Sequence, residues 1–233
     1  MKKITAYSLL IIFATPFILY VSCTLIPAIY KSLGFSDTHF YTDQNNNSVG
    51  LDKAVIADAC EKGKKNCLKD VLLIQGEIDR GTISSIGKID SLKEIDTICF
   101  NSPGGYNDIA QTMMSIIKER NINTCLAEEY YLEGMGSISG TYCKSACPLI
   151  LLMGKKRFVI GDEIEIGIHH SGKALNFCFT CFFIDNGGGD FLPYFTDEGH
   201  IKLFQRSRKT PLKDMDFLQQ DEWKEYNIFT NYL

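Results

Sequence analysis

The chain opens on an almost uninterrupted apolar stretch, Ile4 to Tyr30, 27 residues without a charge behind Lys2 and Lys3. A secretory signal has an apolar core of roughly 7–15 residues, whereas a spanning helix needs about 20. The length therefore predicts a retained anchor over residues 1–30, with Pro16 and Pro27 as tolerated interruptions. A cleaved signal, or a lipoprotein signal at Val21-Ser22-Cys23, is the alternative. The two lysines hold that end in the cytoplasm and place everything after the anchor outside it. Lys31 to Asp70 is polar and poorly periodic, which predicts a linker with a short helix near Ala54 to Glu61.

Beyond residue 70 the pattern alternates. Val71 to Asp79 is an apolar run ended by charge and Gly81, as in a buried strand. Ile95 to Phe100 is a second such run and leads directly into Asn101-Ser-Pro-Gly-Gly105. Tyr106 to Arg120 carries Ile109, Met113, Ile116 and Ile117 at helical spacing, with Lys118, Glu119 and Arg120 closing the last turn. Ile122 to Ala127 returns to strand, Leu149 to Met153 reads as a buried helix, and Phe158 to Ile168 as strand again. Strands alternating with helices predict an α/β domain over residues 71–233 with a mainly parallel sheet.

An apolar fraction of 45% is ample for a core, and a net charge of −4 excludes the basic footprint of a nucleic-acid binder. The nine cysteines change the picture more, because outside the cytoplasm such residues pair and stay paired. Cys60 and Cys67 bracket a basic loop and predict a local disulfide. Cys178 and Cys181 form a lone C-x-x-C among phenylalanines, a pattern that favours a disulfide or two buried thiols over zinc. Cys143 and Cys147, if both were helical, would share a face and bridge only with strain, so they are expected as small buried packing residues.

The candidate chemistry lies around Ser145. Pro148 is accepted only in the first turn of a helix, so the helix through Leu149 to Met153 begins near Ala146 and Ser145 stands at its amino end. A serine there is also a preferred N-cap, a role that needs no catalysis. Only four histidines could serve as its base, at 40, 169, 170 and 200. Ile164, Ile166 and Ile168 share one face of a strand, which puts His169 on the opposite, polar face at the carboxyl end, where α/β sheets place ligands. His170 points the other way. Gly104-Gly105 either makes a sharp turn or lets an oxygen approach a backbone N–H.

Taken together, Asn101-Ser-Pro-Gly-Gly105, Ser145 opening an apolar helix, and Ile168-His169 resemble the proteolytic subunit of Clp protease. They are more similar still to membrane-anchored or periplasmic Clp-like proteins whose serine lies in a Cys-x-Ser-Ala-Cys context, as in Cys143 to Cys147. Val71 to Asp79 resembles the first core strand of that family, and Phe217 to Ile228 its closing acidic helix before a last strand. The resemblance covers about residues 71 to 228 and implies a Clp/crotonase-like spiral of ββα units. It implies Ser145 as nucleophile, His169 as general base, and the N–H groups of Gly105 and Ala146 as the oxyanion hole, with no cofactor and no metal. The implied substrate is a peptide or protein, and homo-oligomerisation stays open.

The third catalytic position is where the resemblance weakens. Met215 falls where an aspartate is expected, between Asp214 and Asp216; Asp216 is the choice, with Asp214 or a Ser-His dyad as alternatives. Glu128 to Thr141 stands out as an insertion whose glycines at 134, 136 and 140 predict a mobile loop beside the site. After His169, the aromatic and glycine-rich stretch Phe177 to Gly189 replaces the family's strand-helix handle, so ring assembly does not carry over. The expected function is a membrane-anchored, extracytoplasmic serine peptidase. A non-catalytic binding or scaffold protein on the same fold is the first alternative, and an acyl-CoA enzyme of the crotonase kind is the second.

Overall fold

Among the described residues, strand structure is already present at Ala54, well ahead of the apolar run at Val71. The computed structural model describes residues 53–87, 94–171, 173–177, 180–184 and 191–233. The anchor expected over residues 1–30, the linker up to residue 52, and Cys178 lie outside the described residues. No helix among the described residues is long and apolar enough to cross a membrane.

Ala54–Glu61, where the sequence predicts a short helix, is strand β1. It pairs antiparallel with β2 (Lys65–Gln75), from Ala54 opposite Ile74 to Glu61 opposite Lys65. The Cys60–Cys67 disulfide closes the turn between them, as the sequence predicts. The reason for the correction is tertiary: both edges of β1 are taken by partner strands, and such pairing overrides weak local propensity. Residues 54–61 thus belong to the same sheet as the run that starts at Val71.

From β2 the chain winds through β3 (Thr97–Asn101), β4 (Asn123–Ala127), β8 (Arg157–Ile160) and β13 (Asn231–Tyr232), each parallel to its neighbour. On the other side of β1 lie β5 (Glu129–Leu132) and β6 (Gly136–Ser139). The full order is β13-β8-β4-β3-β2-β1-β5-β6, an α/β fold with a large, mainly parallel sheet. Its apolar runs are explained by burial on both faces. Leu72 and Ile74 enter one core cluster while Val71 and Leu73 enter the other, the period of two that a strand dictates. Each such fully buried side chain contributes about 1.5–3 kcal/mol.

The β5–β6 hairpin is the segment that the sequence marks as a mobile insertion. It is instead built into the sheet, with Asp58 opposite Tyr131 and Cys60 opposite Glu129. Fully buried Tyr130 anchors it, its hydroxyl donating to the Phe100 carbonyl at 2.9 Å and accepting from the Ala127 N–H at 3.1 Å. The three glycines supply the positive φ values of its turns, not a hinge.

Phe158 to Ile168 is likewise two strands of two sheets. Gly161, at φ +85°, breaks it between β8 and β9 (Glu165–Ile168). A Cβ there would lie 2.2 Å from the Glu128 carboxyl carbon, so only glycine fits. That carboxylate accepts the backbone N–H groups of Lys62, Asp162 and Glu163. Burial acts to raise its pKa, but these donors win and hold it at about 2.

The helices are α1 (Arg80–Ile86), α2 (Asn107–Arg120), α3 (Ala146–Leu151), α4 (Glu198–Ser207) and α5 (Gln220–Glu225). Helix α2 buries Ala110, Met113, Met114 and Ile117 along one stripe and ends on Asn121 in the left-handed conformation. All residues of α3 are buried. Buried Arg157 ties the carboxyl-terminal segment down by donating to the carbonyls of Ile228, Asn227 and Gly154. Cys99 and Cys125, register partners in β3 and β4, form a disulfide that the sequence did not suggest.

A smaller sheet holds β7 (Tyr142–Lys144) parallel to β9, and β12 (Asp216–Phe217) antiparallel to it. Separately, β10 (Lys173–Phe177) and β11 (Thr180–Ile184) form an antiparallel hairpin that belongs to a second compact unit.

Candidate active site

Ser145 sits where β7 runs into α3. Helix α3 begins at Ala146, as Pro148 requires, and the Ser145 N–H donates to the Gly167 carbonyl of β9 at 2.9 Å. Its backbone adopts φ +59°, ψ −112°, and its side chain makes no capping hydrogen bond. The N-cap explanation therefore fails: the residue is at the cap position, but its hydroxyl is not used there. The turn also overturns the expectation for the flanking cysteines. Cys143 is in a strand and Cys147 in the helix, so the turn between them brings their Cα atoms to 5.3 Å and they form a disulfide.

The glycine turn is bonded to the serine turn from the other side. Ser102 bridges Cys143, its N–H donating to Tyr142 O and its carbonyl accepting from Lys144 N–H, both at 2.9 Å. The Ser102 hydroxyl donates to the Gly76 carbonyl at 2.7 Å and accepts the Gly104 N–H at 3.1 Å. Gly104, at φ +96°, packs on the Ser145 turn so closely that a Cβ would lie 2.6 Å from Ser145 Cβ and 2.8 Å from Ala146 N. Ile78 donates to the Gly104 carbonyl and accepts from the Tyr106 N–H. Strand alternation therefore turns the N–H of Gly105 away from Ile78. Among the described residues neither the Gly105 nor the Ala146 N–H donates a hydrogen bond.

His169 follows β9. Cys143 is paired with Ile166 and Lys144 with Gly167, so Ser145 and His169 leave the same end of adjacent parallel strands, which run about 4.8 Å apart. Ile164, Ile166 and Ile168 are buried on the face that the alternation assigned to them. Burial lowers the His169 pKa from its ordinary value, the backbone of His170 acts to raise it, and the neighbouring imidazole lowers it further. The ring is thus neutral at pH 7. Its Nδ1 is buried with no hydrogen-bond partner, and no hydrogen bond joins the ring to Ser145 Oγ. His170 is buried on the other side, its N–H donating to the Thr210 carbonyl.

Asp216 has its carboxylate bonded to Arg206 and not to His169. Its backbone is paired with Ile168, next to His169, but both carboxylate oxygens are held by Arg206, at 2.8 Å from Nε and 2.9 Å from Nη2. Arg206 also binds the Glu222 carboxylate and the Tyr226 hydroxyl. The fork takes one acceptor site on each carboxylate oxygen, and no hydrogen bond joins the carboxylate to His169. Asp214 is exposed, and Met215 packs its thioether where a Cβ on Gly167 would be, 2.8 Å from that position.

The sequence reading missed Ser102, Arg206 and the role of Gly104. Ser102 was visible as the serine of Asn-Ser-Pro-Gly-Gly, but the pairing of Arg206 with Asp216 left no local signal. Lys144, beside Ser145, pairs with Glu165 at 2.9 Å and lies over the rings of Tyr142 and Phe217. A cleft of ≈ 410 Å³ opens after the glycine turn, lined by Asp79, Arg80, Gly81, Tyr106, Asp108 and Ile109. Among the described residues no cluster of three or more His, Cys, Asp or Glu side chains is placed to hold a metal.

No family model matches the chain, and no curated protein matches it. Several solved structures are similar to it. A mutant of the 1510-N membrane-bound stomatin-specific protease is 15% identical at a TM-score of 0.45, with 69% of this chain and 77% of that one covered. ClpP1 from Listeria monocytogenes is 18% identical at a TM-score of 0.43, covering 69% and 89%. A second mutant of the stomatin-specific protease, in complex with a substrate peptide, is 16% identical at a TM-score of 0.44, covering 69% and 73%.

Proposed function

We propose that this chain is a membrane-anchored, extracytoplasmic serine hydrolase that cleaves peptides or proteins with a Ser145–His169 dyad. The observation that carries the reading is the backbone of Ser145. A non-glycine residue at φ +59°, ψ −112° costs on the order of 1–3 kcal/mol and persists only where its surroundings over-determine it. A strand-to-helix turn of this kind lifts the hydroxyl clear of the backbone, and here the hydroxyl caps nothing.

In this reading Ser145 Oγ attacks the substrate carbonyl carbon while His169 Nε2 takes its proton. The carbonyl oxygen becomes an anion held by the N–H groups of Gly105 and Ala146, which have no other acceptor among the described residues. His169 returns the proton to the leaving amine, and water, deprotonated by the same ring, releases the acyl-enzyme. The lowered pKa keeps the ring in its basic form at neutral pH. The external location rests on Lys2, Lys3 and the long apolar stretch behind them, and agrees with paired cysteines.

One observation favours a second reading, a binding or scaffold protein on the same fold: nothing orients His169 through Nδ1. A fluorophosphonate probe separates the two. Labelling of the wild type that disappears in Ser145→Ala supports the hydrolase, while absent or equal labelling in both leaves the scaffold.

A further inference from the structure

We propose that the Cys143–Cys147 disulfide is the positioning element that holds Ser145 in its attacking conformation, so that the site is complete only after this bond has formed. The inference rests on the hydrolase reading and adds its regulation.

The bond spans the one turn on which the chemistry depends. Cys143 lies in β7, Cys147 in α3, and Ser145 with its positive φ sits midway between them. Cys143 is also the residue through which the other two parts of the site are attached. It bridges Ser102 of the glycine turn and pairs with Ile166, on the strand that ends at His169. A covalent tie at this point fixes nucleophile, oxyanion donors and base relative to one another.

Without it the turn would depend on a few backbone hydrogen bonds, among them Ser145 N–H to Gly167 O and Lys144 N–H to Ser102 O. Both cysteines are fully buried, among close-packed residues. Two non-bonded sulfurs need more room than a bonded pair, and a close-packed interior yields that room only by moving backbone. Reduction therefore pushes β7 away from α3 and relaxes Ser145 towards an ordinary backbone conformation.

The oxidation balances as a thiol–disulfide exchange. The Cys143 and Cys147 thiols give up two protons and two electrons and form one S–S bond. The S–S bond of a donor, a protein disulfide oxidant of the dithiol class, breaks and takes them up as two thiols. Because the sulfurs are shielded once folded, the exchange belongs to the period before β7 and α3 close. An unexported chain in a reducing compartment stays inactive, and one in an oxidising compartment is switched on as it folds.

The test uses the full chain and the rate of fluorophosphonate labelling at Ser145. Oxidised wild type should label, and protein unfolded, reduced with dithiothreitol and refolded in its presence, so that the shielded sulfurs are reached, should label about a hundredfold more slowly, the cost of a misplacement of about 1 Å. Cys143→Ser with Cys147→Ser should label at the slow rate in both conditions, with an unchanged circular dichroism spectrum. Cys60→Ser with Cys67→Ser should label as wild type and keep the sensitivity to dithiothreitol. Wild-type rates in a folded Cys143/Cys147 variant overturn the proposal. Should that variant not fold, the Cys60/Cys67 variant and a Cys99→Ala with Cys125→Ala variant, which removes the remaining described disulfide, decide together: slowing on reduction in both upholds the proposal, and an unchanged rate in either overturns it. If oxidised wild type does not label at all, the hydrolase reading fails on its own. Amide exchange over residues 144–146 then decides the positioning role, with faster exchange on reduction upholding it and equal exchange overturning it.

Discussion

Around Ser145 the structure spends one constraint after another: the strained turn itself, a disulfide across it, a hydrogen bond to Gly167, and Gly104 packed against its Cβ. Around His169, at the end of the adjacent strand, Nδ1 is buried without a partner and the neighbouring carboxylate is taken by Arg206. The first region is over-determined and the second is under-determined. Under the hydrolase reading, that contrast teaches which half of the proposed chemistry the fold secures. The proposed nucleophile and oxyanion donors are fixed by backbone, while the proposed base is positioned by its strand alone.

The largest effect should come from the over-determined half. Ser145→Ala removes the attacking atom, so labelling should vanish and peptide hydrolysis should fall by about 10³-fold or more, to what the oxyanion donors alone sustain. Residual hydrolysis at the wild-type rate would mean that the constraints serve packing. Next comes Gly104→Ala. Its Cβ would meet Ser145 Cβ at 2.6 Å and the Lys144 carbonyl at 2.7 Å, at a φ that side chains avoid. No rotamer relieves a contact with backbone, so Gly105 and Ala146 must part, and the labelling rate should fall about 10²–10³-fold, as when one oxyanion donor is removed. A rate within threefold of wild type would show that the two turns move independently.

How far the sequence carried follows the same division. The places of Ser145, Ala146, Gly105 and His169 in the fold were legible because each is announced locally: a proline that dates the helix start, an alternation of isoleucines, a glycine pair after a strand. The parallel sheet was legible for the same reason, since β2, β3 and β4 are apolar on both faces. What was not legible is non-local. Ala54–Glu61 is a strand because β2 and β5 flank it, a fact its own composition does not state. The glycines at 134, 136 and 140 suggest mobility until Tyr130 is seen buried against Phe100. Asp216 looks like an acid near His169 by its register, and only the fold shows that Arg206, ten residues away, has claimed it.

A smaller effect sharpens the contrast at His169. Burial lowers the ring's pKa from 6.5, and no carboxylate is bonded to it to raise the value again. In the proposed mechanism the neutral ring is the base, so the labelling rate should rise with pH, pass its midpoint below 6.5 and be flat through neutrality. A midpoint above 6.5 would reveal an acid on Nδ1. Stability carries the same sign. The unfolded chain takes up this proton at a higher pH than the folded one, so the contribution is complete above about 6.5 and is lost as pH falls towards the folded value.

The smallest effect on activity, and the most direct test of the under-determined half, belongs to Asp216→Asn. If Asp216 oriented His169, an isosteric amide would leave the ring in the wrong tautomer and cost about 10⁴-fold in kcat. The geometry says otherwise. Both oxygens lie on Arg206, with each side chain 28% exposed, so the carboxylate serves the link between α4 and β12. Losing one charge from a half-buried fork should lower stability by about 1–2 kcal/mol, read as a shift in the urea midpoint. The labelling rate of the folded protein should stay within about threefold of wild type, the scale of a small shift in the strand that carries His169. A hundredfold loss at unchanged stability would put Asp216 back beside the base, and would mean that Arg206 releases it when substrate binds.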